Sequence, residues 1–192
     1  LMATEVEVSN IDQIVDYSFN YGAWIELYNK SDKRVSLDYL YISDDSTQLD
    51  KCMIQKNGVV NPHSYKCLFF DHNSVDGVYG ETADKQIPFK LSNDGGSIYL
   101  SEDGKEYFLK IDYPEGIMRC SWARTSLDSE EWGYNGTPTP GAANSEDFAS
   151  ERLQAPAVDT DSRLFDTDFD VCVSFPSGST LVYTTDGTAP TK

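Results

Sequence analysis

Apolar and polar side chains alternate along most of this chain, in short bursts bounded by turn-forming residues. In "AWIELYN" (Ala23–Asn29), Ile25 and Leu27 point one way, while Trp24, Glu26 and Tyr28 point the other, as successive side chains of an extended strand must. "VSLDYLYIS" repeats the habit and stops at "DDS", whose side chains compete for their own backbone. "KCMIQ" and "YKCLFFD" enclose "NGVVNPHS", where Gly58 and Pro62 mark a connection. "IPFKLS" leads through "NDGG" into "SIYLSEDGKEYFLKIDY", and Asp103-Gly104 between its two alternating runs predicts a hairpin. "RCSWAR" is a further strand. Helical periodicity is nearly absent, so the pattern predicts an all-β chain built as a sandwich or barrel.

"EWGYNGTPTPGAAN" (Glu131–Asn144) breaks that rhythm. Pro138 and Pro140 lack the N–H that a helix or a central strand needs, so a domain is expected to close here. "SEDFASERLQAPAVDTD" then reads as a polar linker. "FDVCVSFP" and "STLVYTTDGTAPT" predict two more strands, about half of a second domain. The expected division is a sandwich over 1–145, a linker over 146–156 and a partial module over 157–192.

Four phrases carry a family likeness in order: "WIELYN", "LDYLYISDD", "FKLSNDGGSIYLSEDG" and "EWGYNGTPTPGAAN". Together they resemble the bacterial lamin tail domain over residues 1 to about 145. The resemblance implies an immunoglobulin-like β-sandwich, with Trp132 and Tyr134 in its last strand and Thr137–Asn144 leaving the fold. "STLVYTTDGTAPT" resembles the fibronectin-III-like modules appended to chitobiase and hexosaminidase. Proteins of this make-up are commonly secreted or in the bacterial cell envelope. The implied function is a non-catalytic adhesion, scaffolding or binding module with a protein or glycan partner. The alternative is an accessory domain for a spore-coat-protein-H-like kinase or a hydrolase lying downstream. The family brings no catalytic motif. "VDGVYGETADKQ" and Cys120 depart from its pattern.

Charge narrows the partners. Fifteen Lys and Arg against 32 Asp and Glu give a net charge of −17, which repels nucleic acid and anionic membranes. The chromatin role of nuclear lamin tails is therefore not transferred. No apolar run approaches the roughly 20 residues of a membrane span. The chain starts at Leu1 without a signal pattern, so a processed start with an upstream targeting segment is expected. The partial tail leaves strand edges open, which would allow a dimer through them.

Candidate chemistry is sparse. Cys52, Cys67, Cys120 and Cys172 lack metal-ligand spacing and read as small buried hydrophobes; Cys52 and Cys67 could face each other if their strands pair directly. Cys67 and His72 are the one conceivable nucleophile and base, though Cys67 should share a face with Phe69 and be buried. Glu26 reads either as a solvated outer-face carboxylate or as a buried one capping backbone donors. No cofactor is implied. Calcium could find oxygens at Asp44, Asp45 and Asp50 or at Asp159, Asp161 and Asp166, without EF-hand spacing. Trp122, Trp132 and Tyr134 could form a sugar-stacking platform or belong to the core. "NKS" and "NGT" match the glycosylation pattern at Asn29 and Asn135.

Overall fold

Alternation resolves into two large antiparallel sheets and two two-stranded ones in the computed structural model, which describes all residues but 17–18, 56–57, 72–85, 150–152, 163, 189 and 191–192. The strands of the first unit, Leu1–Ser150, are Met2–Glu7 (β1), Ala23–Tyr28 (β2), Val35–Ser36 (β3), Tyr41–Ser43 (β4), Cys52–Met53 (β5), Val59–Val60 (β6), Tyr65–Phe70 (β7), Gly96–Ser101 (β8), Tyr107–Tyr113 (β9), Ser121–Arg124 (β10), Trp132–Asn135 (β11) and Phe148–Ala149 (β12). One sheet has six strands in the order β12-β11-β10-β1-β2-β7, and the other has four in the order β5-β4-β8-β9. No helix occurs among the described residues. The fold is all-β.

The core lies between the sheets. Ile25, Leu27, Leu68 and Phe70 come from the six-stranded sheet and meet Ile42, Ile98, Leu100 and Ile111 of the four-stranded one. These are the inward positions that the period of two assigns. A bulge in β1 shifts the register between Ala3↔Leu27 and Glu5↔Glu26. Ala3 and Val6 thus both face the core three residues apart. The added residue gives Thr4 and Glu5 a shared outer face.

Several local expectations change. β5 lies in the four-stranded sheet and β7 in the six-stranded one, because β6 leaves to pair with β3. Cys52 and Cys67 therefore do not face each other, and both are free thiols. "VSLDYLYIS" is interrupted: Tyr39 takes a φ of 73°, and Leu40 N–H donates to Leu37 O in a turn between β3 and β4. The β8–β9 hairpin forms, with a wider loop than a two-residue turn. Ser101 Oγ accepts from Gly104 N–H (2.8 Å) and donates to Glu106 O (2.6 Å). Gly104 sits at φ +72°, where a Cβ would come within 2.7 Å of Asp50 Cβ.

Pairing also continues past residue 145. Phe148 and Ala149, in the expected linker, pair with Asn135 and Tyr134, so β11 is not the last strand of its sheet. The second unit, Glu151–Lys192, contains Ala157–Val158 (β13) paired with Val173–Ser174 (β14). "STLVYTTDGTAPT" forms no strand among its described residues.

Candidate functional site

The outer face of the six-stranded sheet, for which Glu26 leaves open a solvated or a buried reading, is buried around β1 and β2. Glu5, Glu7, Trp24 and Glu26 are all 0% exposed there. Over Glu5 and Glu26 the cover is the Thr-Pro-Thr-Pro phrase, which folds back across the sheet as a strap rather than leaving it. Pro138 and Pro140 contribute no N–H, so the donors of this stretch are Thr139 and Gly141. Thr139 N–H lies 3.2 Å from each carboxylate oxygen of Glu5, and Gly141 N–H donates to Glu26 Oε2 at 2.6 Å. Asn144 Nδ2 then ties the strap to the two central strands through Thr4 O (3.0 Å) of β1 and Arg124 O (2.8 Å) of β10. Of the two readings of Glu26, the one that caps backbone donors holds.

The sheet supplies the remaining donors. Ser121 Oγ donates to Glu5 Oε1 (2.5 Å), Thr4 Oγ1 to Glu26 Oε1 (2.6 Å) and Trp24 Nε1 to Glu7 Oε2 (3.0 Å). Burial is the largest influence on these acids and disfavours their charged forms. It pushes Glu7 and Glu26 up to about 7, only partly offset by the hydrogen bonds, and the nearby Glu5 charge adds to the rise. Glu5 is raised by the same cause.

Cys67 lies on this face, with Sγ 4.0 Å from Glu26 Oε2. Burial, then the charges of Glu26 and Glu5, push its thiol up to about 12. A thiol so held is not a nucleophile at neutral pH. Its proposed base, His72, lies outside the described residues. A direct check is alkylation with iodoacetamide at about pH 8, read by peptide mass spectrometry. Cys67 should modify on the order of a hundredfold or more slowly than exposed Cys172, and equal rates would contradict the assignment.

Sequence reasoning reached Glu26 but missed Thr4, Glu5, Glu7, Ser121, Thr139 and Gly141. The available signal was "TEVEV", where Glu5 and Glu7 alternate with valines as Glu26 does with Ile25 and Leu27. Nothing in the spacing says that the three acids share a face.

Of the three aromatics nominated as a platform, Trp122 and Tyr134 touch, and Trp132 stacks with Arg124 instead. Trp122 and Tyr134 are cross-strand partners whose rings meet edge-to-face at 5.1 Å. Arg124 lies over the Trp132 ring at 5.2 Å. All three rings are half-buried, and Trp122 and Trp132 pack against the core.

The chain matches no protein-family model, no curated protein and no solved structure. Functional assignment therefore rests on the geometry.

More exposed aromatics lie on the outward face of the four-stranded sheet. Tyr99 and Tyr107 rings pair at 5.2 Å, and Tyr107 and Phe108 are 50% and 46% exposed. A cleft of about 350 Å³ elsewhere on the unit is lined by Asn20, Tyr21, Phe70, Asp71 and Lys90, among others. Asn20 Nδ2 there donates to Asp71 Oδ2 at 3.0 Å.

The acidic loops do not gather into a cation site. Asp44 pairs with Lys51 at 2.5 Å, and Asp45 accepts from the backbone and hydroxyl of Thr47 at 2.8 and 2.7 Å. Asp159 accepts from Thr160 Oγ1 and Cys172 N–H. Among the described residues no three His, Cys, Asp or Glu side chains are placed to hold a metal ion. Both asparagines of the glycosylation pattern are structural. Asn29 and Asn135 are 0% exposed, with Asn29 Nδ2 donating to Lys33 O, Val60 O and Asn61 O and Asn135 Nδ2 to Ser145 O.

Proposed function

We propose that this chain is a lamin-tail-like, non-catalytic binding module of a larger bacterial secreted or cell-envelope protein, and that it engages a neutral glycan or a protein surface. One observation carries the reading. The buried carboxylates Glu5 and Glu26 are committed beneath the strap and the half-buried Cys67 thiol is held protonated beside Glu26, while aromatic rings are left at the surface of a strongly acidic chain. Aromatic faces bind neutral sugars and apolar side chains without needing a complementary charge. The outward set around Tyr99, Tyr107 and Phe108 is the more accessible platform, and the set of Trp122, Trp132 and Tyr134 is the second.

A glycan array with the full chain, followed by titration of any hit, tests this. Binding should persist at about 0.5 M salt, because stacking is little screened. Tyr107→Ala with Phe108→Ala should abolish it if the first platform is used, and Trp132→Ala with Tyr134→Ala if the second is. Binding untouched by either pair, or turnover of the bound sugar, would overturn the proposal.

A further inference from the structure

β9 ends its sheet. It is the seven-residue strand Tyr107–Tyr113, laddered to β8 on one side, and among the described residues no strand pairs with its other side. The opposite edge of the same sheet is the two-residue β5. Natural sheets blunt open edges with short strands, prolines, bulges or charge, because unpaired N–H and C=O groups template further pairing. β5 is blunted by length. β9 is long, and Pro114 follows it rather than interrupting it.

Its charges have a particular arrangement. Lys110 and Asp112 are both exposed on the outward face, two residues apart, and Lys110 Nζ lies 2.8 Å from Asp112 Oδ1. Leu109, Ile111 and Tyr113 take the core side, of which Ile111 and Tyr113 are buried and Leu109 is half-buried. We propose that β9 is a pairing edge for a second copy of this chain, joining antiparallel to its counterpart about a two-fold axis at Ile111.

The charges select that register. Two copies that continue one sheet about a two-fold axis must place like faces opposite each other, so the axis falls on a residue. Centred on Lys110 or on Asp112, the pairing sets that side chain against its own copy, a like-charge contact that destabilises the pair. Centred on Leu109, it brings Asp112 against Glu106. Centred on Ile111, it sets Lys110 opposite Asp112 of the other copy, twice, by symmetry. Leu109 then lies opposite Tyr113 of the second copy, which covers the half-buried leucine. The bulge between Leu100 and Ser101 and the proline at 114 confine the match to Leu109–Tyr113. The net charge of −17 opposes association at long range, and salt screens that repulsion beyond about 8 Å at physiological strength.

Sedimentation velocity of the 192-residue chain at about 0.15 M salt, over a concentration series, tests the proposal. A reversible monomer–dimer equilibrium is expected. Lys110→Asp and Asp112→Lys should each weaken the dimer about tenfold or more, because each turns both opposed pairs into like charges. The double variant restores opposition and should return the dissociation constant to within about threefold of the original. As a readout independent of those variants' stability, a Cys172→Ser chain with both Lys110→Cys and Asp112→Cys should oxidise to a covalent dimer that the Cys172→Ser chain alone does not form. A chain that stays monomeric at every concentration overturns the proposal. So does a dimer indifferent to the single reversals, or one the double reversal fails to rescue.

Discussion

Replacing Trp24 by alanine is expected to destabilise the first unit by about 3–5 kcal/mol, although Trp24 lies on the side of its strand away from the main core. The ring is 0% exposed on the outer face of its sheet. Removing it opens a cavity and also takes away the indole N–H that Glu7 Oε2 accepts at 3.0 Å. The other Glu7 oxygen, Oε1, is buried and has no hydrogen-bond partner among the described residues. Truncation therefore strands a whole carboxyl group, which adds to the cavity cost. Trp24→Phe separates the two effects, since it keeps most of the volume and loses only the donor. It should cost about 1–3 kcal/mol at about pH 8 and less at about pH 5, where Glu7 is protonated. Urea midpoints of the two variants against the parent check this. An unchanged midpoint for Trp24→Ala would mean that the outer face is not a second core.

That second core marks the boundary of what the residues reveal in order. Alternation in "AWIELYN" correctly separates Ile25 and Leu27 from Trp24, Glu26 and Tyr28, and the all-β class follows from repeating such runs. Period two reports which residues share a face, and says nothing of what lies over it. The cover is contributed by residues 139–144, more than a hundred positions along the chain from the strands it seals. Its proline-rich wording reads as a terminator because local sequence cannot distinguish a backbone that leaves from one that returns. The same blindness applies to Cys52 and Cys67. Their strands are neighbours in sequence with a turn between them, and the intervening β6 sends them to different sheets. By contrast, the β8–β9 hairpin is readable, because its partners and its turn are all local.

The three acids buried on the outer face should reverse the ordinary pH dependence of a carboxylate-rich fold. Glu7 and Glu26 are held near 7 in the native state against an ordinary value of 4.5, chiefly by burial. Between those values the native state binds more protons than the unfolded chain, so stability falls as pH rises through that window. Below about pH 4.5 both states are protonated and the penalty vanishes; above about pH 7 it is complete, at roughly 3 kcal/mol for one such group. The two do not simply add, because Glu5 couples to both. Surface acids such as Asp45, Asp103 and Asp112 are shifted the other way by their hydrogen bonds, so the stability they confer is lost only at more acid pH. Unfolding free energy should therefore peak near about pH 5 and decline toward about pH 8. Glu26→Gln tests the cause. Its amide oxygen can still accept from Gly141 N–H, and the Thr4 hydroxyl can turn to accept from its NH₂. The variant should gain about 2–3 kcal/mol at about pH 8, change little at about pH 5, and flatten the slope between them. General repulsion at −17 predicts a different result, since one charge fewer barely alters the total and would leave the slope intact. A parent whose stability instead rises from about pH 5 to about pH 8 would mean that water reaches these carboxylates, and that the strap is not the lid of Glu5 and Glu26.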